Sequence, residues 1–220
     1  SMRVAATSYD GPMHLPSKIR SAPIAFALVA LSSLVFLLFK ELGFYGSILQ
    51  LFNFVPVELT PRGGRLGEPG NDWWRFITPT LLHFSWMHLV FNCLWIWEFG
   101  RRIEVSLGSM NLLGLYLASA VFSNSVQYFI SGPSIFGGMS GVVYAFMGFI
   151  WAGNALRPHW IEPLPPAIMG FMLIWLLVGL VGALEILGAG AIANGAHLGG
   201  LVIGVILGGV FALLSRLDRS

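Results

Sequence analysis

From Ala193 to Leu214 the chain carries no Asp, Glu, Lys or Arg, and similar uncharged runs span Pro23–Phe39, Met110–Ile130, Ser140–Leu156 and Ala167–Leu184. Runs of this kind approach the ~20 apolar residues needed to cross a bilayer core of about 30 Å. A water-soluble domain has no way to bury so many of them. The 220 residues are 56% hydrophobic and only 10% charged, and the mean hydropathy is +0.77. The expected fold class is therefore an all-α integral membrane protein.

Six spans are expected: about Pro23–Phe39, Thr80–Phe99, Met110–Ile130, Ser140–Leu156, Ala167–Leu184 and Ala193–Leu214. Pro23 suits the first turn of a helix, where its missing N–H costs nothing. In a six-helix bundle, Arg3, Lys18, Arg20, Arg101, Arg102, Arg157, Arg216 and Arg219 fall on one side. Lys40, Arg62, Arg65 and Arg75 fall on the other. Cytoplasmic loops carry the excess of Lys and Arg, which places both termini in the cytoplasm. The expected organisation is a short cytoplasmic segment over 1–22, a six-helix membrane domain over 23–215 and a cytoplasmic tail over 216–220. Residues 2–22 show neither a signal peptide nor space for a separate domain. The first loop, about Glu41–Pro79, is long, rich in Trp, Phe, Pro and Gly, and expected outside. Trp73 and Trp74 within it read as interfacial anchors.

Some chemistries are excluded or unsupported. The one cysteine, Cys93, forms no intramolecular disulfide and reads as a packing residue. The net charge of +2 comes from loop and tail arginines, with no basic run interleaved with aromatics, so no nucleic-acid partner is expected. In "HFSWMH" the histidines are five apart and no glutamate follows the first, unlike the zinc-protease helix. No metal or cofactor is expected.

Polar side chains inside a membrane domain are expensive and need a reason. His83, His88 and Asn92 of the second span, Ser140 of the fourth and His197 of the sixth all fall toward the outer half. His88 and Asn92 are four apart and share a face, as do Ser140 and Tyr144. His83 is displaced around the helix or sits above it. Small-residue stripes run along the fourth span (Gly141, Ala145, Gly148, Ala152) and the sixth (Gly200, Gly204, Gly208). Stripes of this kind let membrane helices approach closely. If they pack together, Ser140 and His197 meet at similar depth. A serine hydroxyl becomes a nucleophile when a base accepts its proton, and neutral imidazole is the usual base. No acid is placed to orient His197 except, distantly, Glu185, so a dyad fits better than a triad. Ser140 as a helix cap or packing residue remains open on these residues alone.

Three stretches carry a resemblance: "HFSWMHLVFN" (His83–Asn92), "GGMSGVVYAFMG" (Gly137–Gly148) and "NGAHLGGLVIG" (Asn194–Gly204). In this order they resemble the signatures of rhomboid intramembrane serine proteases, the bacterial GlpG-type branch above all. "WWRFIT" (Trp73–Thr78) resembles that family's first-loop Trp-Arg motif. The resemblance covers roughly residues 24–215. It implies Ser140 as nucleophile and His197 as general base, with an oxyanion site of His88, Asn92 and the Ser140 N–H. Gly138, Tyr144, Gly200, Gly204 and His83 would support the site, and Phe91 and Trp175 would form the substrate gate. It further implies transmembrane protein substrates, membrane lipids as surroundings and a bacterial inner membrane, with the site toward the outer face. The last outer loop, Gly182–Gly195, looks long and glycine-rich, like a mobile lid. Two other classes share these residues: a non-catalytic protein that binds client helices, and a conduit, for which the apolar lower halves of the fourth and sixth spans offer no polar path.

Overall fold

The computed structural model describes residues 15–181 and 193–218. The described chain is mostly helical. Helix α1 covers Leu15–Ser21 and α2 Pro23–Phe36, extended by a π-helical turn over Leu37–Glu41. Then come α3 (Tyr45–Phe52), α4 (Trp86–Leu107), α5 (Ser109–Ser131), α6 (Ser140–Leu156), α7 (Pro166–Leu180) and α8 (Asn194–Leu217). Two helical stretches, Pro23–Glu41 and Asn194–Leu217, are long and apolar enough to cross a membrane. Helices α6 and α7 are apolar but shorter, about 25 Å and about 22 Å at 1.5 Å per residue.

Helix α6 is the axis of the fold. Every residue from Gly141 to Ile150 is buried, as a helix apolar on all sides must be. Its two ends show how it is held. At the bottom, the Arg216 guanidinium donates to the Leu156 carbonyl (3.0 Å) and Arg157 to the Ser215 hydroxyl (2.8 Å). These bonds level the ends of α6 and α8. Along their length the two backbones nearly touch. A Cβ on Gly200 would fall on the Gly141 carbonyl, one on Gly204 on the Ala145 carbonyl, and one on Gly208 on the Phe149 carbonyl. The small-residue stripes thus form the α6–α8 contact.

The second span differs from its expected bounds. Thr78–Leu81 is a 3-10 turn, and α4 begins only at Trp86. Ser85 is the reason: extended, it accepts the His88 N–H on its side-chain oxygen (3.1 Å), as an N-cap does. His83 therefore lies above the helix rather than on it. Helix α4 also runs on to Leu107, past Glu98, Arg101 and Arg102. Those charges stay within a helix because they pair: Arg102 with Glu98 and Glu162, Arg101 with Glu162.

Glu104, 2% exposed, ties two distant helices. Its carboxylate accepts the N–H groups of Ile24 and Ala25 (2.9 Å each) and the Ser109 hydroxyl (2.6 Å). The N–H groups of a helix's first turn lack partners within it, and a carboxylate there also meets the positive end of the dipole. Glu104→Ala leaves one buried and one part-buried N–H bare and is expected to cost about 3 kcal/mol of stability. A thermal unfolding series in detergent reads this directly, and an unchanged midpoint would contradict the capping role.

The first loop is ordered. After α3 comes a hairpin, β1 (Val57–Thr60) with β2 (Gly63–Leu66), antiparallel with Val57 opposite Leu66. A 3-10 turn over Trp73–Phe76 follows. Arg75 anchors it: Nη1 donates to the carbonyls of Gln50 and Asn53 (2.8 Å each), and Nε bonds Asp72 (2.9 Å). A guanidinium at the carbonyl-bearing end of α3 answers both its unpaired acceptors and its negative dipole end. Trp73 is exposed, and Trp74 donates its indole N–H to Leu51 (3.1 Å).

Candidate active site

The segment Gly132–Met139 enters α6 from above and makes a sharp passage at two glycines. A Cβ on Gly137 would press on Leu82 and on the Pro79 carbonyl. Gly138 has φ +112, a region side chains disfavour, and its N–H donates to the Pro79 carbonyl (2.9 Å). A Cβ here would meet His88 Nε2 and Asn92 Nδ2. So the imidazole of His88 and the carboxamide of Asn92 converge on the backbone two residues before Ser140.

Ser140 is the first residue of α6. His197 lies one turn into α8, 5% exposed. Its Nε2 is 2.7 Å from the Ser140 Oγ. The structure therefore brings together two side chains separated by 57 positions, above the Gly141–Gly200 contact. Tyr144, one turn below Ser140, sets its ring 5.0 Å from the His197 ring and donates its hydroxyl to the Met172 carbonyl of α7 (2.8 Å). Among the described residues, His197 Nδ1 has no hydrogen-bond partner. Glu185 and the segment 182–192 of the last loop lie outside the described residues.

Hydrogen bonds fix the tautomers of the other two histidines. His83, fully buried, places Nδ1 against the Leu81 carbonyl (3.3 Å), and its Nε2 accepts the Met139 N–H (3.4 Å). An acceptor at Nε2 and a carbonyl at Nδ1 require the proton on Nδ1. His88 is the reverse. Its Nδ1 accepts the Phe84 N–H (3.3 Å), so Nε2 carries the proton, on the side of Gly138. His83 thus holds the loop before Ser140, and His88 presents a donor beside it.

Phe91 and Trp175 also come together, with ring centroids 6.0 Å apart between α4 and α7. Phe171 completes the cluster at 6.2 Å from each. Sequence reasoning missed Phe171, although it lies four before Trp175 on one helix face. It also missed Gln127 of α5, whose Oε1 accepts the Ala196 N–H (3.0 Å) at the start of α8. A signal existed: Ser119, Ser123, Asn124 and Gln127 form a polar stripe at helical spacing in an otherwise apolar run, and all four are buried.

The family profile of the rhomboid domain matches residues 70–214, which include every polar residue of this site. The chain belongs to the rhomboid family. Three rhomboid proteases named GlpG are among its similar proteins. That of Pectobacterium atrosepticum is 36% identical over 190 residues, 86% of this chain and 63% of its own length. Those of Yersinia pseudotuberculosis and Yersinia pestis are each 43% identical over 134 residues, 61% of this chain and 46% of theirs. The chain spans about half to two-thirds of the length of these relatives. The similarity places this rhomboid with the bacterial GlpG type.

Proposed function

We propose that this rhomboid is an intramembrane serine endopeptidase that cuts membrane-protein substrates in or beside their transmembrane helices. The observation that carries the reading is the 2.7 Å approach of His197 Nε2 to Ser140 Oγ at the head of the central helix. A neutral imidazole at that distance accepts the hydroxyl proton as Oγ attacks the scissile carbonyl. The carbonyl oxygen becomes an oxyanion held by the Ser140 N–H, the His88 Nε2–H and the Asn92 amide. The N–H groups of a helix's first turn are free of intrahelical partners and suited to this. As the tetrahedral adduct collapses, His197 returns the proton to the leaving amine and an acyl-serine remains. Water then attacks the acyl carbon with His197 again taking a proton, and the carboxylic product leaves Ser140 restored.

Helices α2, α4, α5, α6, α7 and α8 are assigned as the six spans, with residues 1–22 and 216–220 on the cytoplasmic side and the first loop outside. Arginines clustered at the bottom of α4, α6 and α8 support this orientation. Helix α6, about 25 Å long, falls short of a ~30 Å bilayer core. With its lower end held at the cytoplasmic surface by Arg216, its head and Ser140 lie beneath the outer surface. That recess is where a membrane-buried peptide bond meets polar groups. The seam between α4 and α7, closed by Phe91, Phe171 and Trp175, is the route for a substrate helix. Helical substrates hide their carbonyls in hydrogen bonds, so cleavage requires local unwinding at weak helical positions. The membrane is read as a bacterial inner membrane, a reading supported by the similarity to bacterial GlpG-type rhomboids.

The test is hydrolysis of a fluorogenic transmembrane peptide by the purified chain in liposomes. Wild type is expected to cut it, and His88→Ala with Asn92→Ala to lower kcat about 100-fold or more with KM little changed. A wild type without product, or a double variant at full rate, contradicts the reading.

A further inference from the structure

We propose that Asn53, in the first loop, is a positioning residue for the oxyanion site; this rests on the serine-protease reading above. Asn53 follows α3 directly and is fully buried. Every polar group it has is engaged. Its N–H donates to Leu49 (3.1 Å), and its carbonyl accepts from Arg75 (2.8 Å). Its Nδ2 donates to the Val55 and Ser134 carbonyls (3.0 and 3.1 Å), and its Oδ1 accepts the Phe136 N–H (3.3 Å).

The last two bonds matter most. They grip the backbone on both sides of residue 135, as a neighbouring strand's peptide group would. The gripped segment has no regular structure of its own and turns at both ends through glycines with positive φ, Gly132 (+70°) and Gly138 (+112°). Such a segment is held by what it touches. From Phe136 it is two residues to Gly138, flanked by His88 and Asn92, and two more to Ser140. The far half of the loop is fixed by Pro79 and His83 through the Gly138 and Met139 N–H groups. Asn53 fixes the near half from the α3 side, and Arg75 fixes Asn53. Phe136 also packs beside Phe54, the residue after Asn53, with ring centroids 5.7 Å apart. The buried carboxamide thus carries the placement of the first loop to the backbone that presents the Ser140 N–H. Misplacing such a group by about 1 Å can slow the reaction about 100-fold.

The experiment compares Asn53→Ala with wild type on the fluorogenic transmembrane peptide, counting active sites by complete reaction with a fluorophosphonate. Per active site, kcat is expected to fall about tenfold or more with KM within about twofold. The rate of fluorophosphonate reaction should fall in step, because that reagent uses the same oxyanion donors. A merely structural role would lower the number of active sites or the unfolding temperature and leave kcat per site unchanged, which would overturn the proposal. If the alanine variant aggregates, Asn53→Asp takes its place. It keeps the shape and the acceptor for the Phe136 N–H but sets an oxygen against the Ser134 carbonyl, so the same loss is expected. Wild-type kcat per site in that variant, or a change confined to KM, likewise overturns the assignment. Failure of the serine-protease reading looks different: wild type itself would neither cleave the peptide nor react with the fluorophosphonate.

Discussion

Ser140→Ala leaves no measurable cleavage, a loss of at least about 10⁴-fold in kcat, while the purified protein unfolds within a few degrees of wild type. The size follows from the role: without Oγ there is no acyl intermediate, and the remaining donors and base have nothing to activate. The mild effect on folding follows from the surroundings. Ser140 is only half-buried, sits at the start of α6, and gives up one hydrogen bond, to His197. An alanine there keeps the helix and lets the Gly138 passage stand. Cleavage measured with single-turnover sensitivity, alongside a melt in the same detergent, separates loss of chemistry from loss of fold. Residual turnover within about tenfold of wild type would mean that another group makes the nucleophilic attack.

Gly204→Val acts by a different route and removes the protein's stability together with its activity. A Cβ at 204 would fall on the Ala145 carbonyl, a backbone group that cannot swing away. Two more methyl carbons add to the overlap, so α8 must move off α6. Overpacking of this kind costs about 3 kcal/mol, a large share of a membrane domain's margin. The displacement is passed up α8 to His197, two turns above, where a 2.7 Å contact tolerates little movement. A fall of the unfolding midpoint by several degrees, with loss of fluorophosphonate reaction in the fraction that remains folded, is the expected result. Wild-type stability would show that the helices do not meet at this glycine.

The parts of this architecture that repeat along a helix were legible in the sequence. Ser140–Leu156 is the clearest case, with the same bounds in sequence and structure. The glycines at 200, 204 and 208 announced a close contact, and their spacing foretold the partner helix. Legibility failed where local hydrogen bonds override periodicity. The uncharged stretch Thr80–Ser85 was read as the start of the second span, yet the Ser85 cap delayed α4 to Trp86 and lifted His83 off the helix. At the other end the span was expected to stop at Phe99, before Arg101 and Arg102, but the pairing of Arg102 with Glu98 and Glu162 and of Glu104 with the first turn of α2 carries the helix on to Leu107. Asn53 was wholly invisible. Its importance lies in contacts 81 and 83 positions away, and nothing in "LFNFVP" marks it.

The central claim is that His197 activates Ser140. Its most direct test is peptide mapping by mass spectrometry after reaction with a fluorophosphonate, for wild type and His197→Ala under the same folded conditions. The structure predicts one adduct, on the peptide containing Ser140, and none in the His197→Ala protein. An adduct on a different serine, or labelling of Ser140 that persists at the wild-type rate without the imidazole, would contradict it.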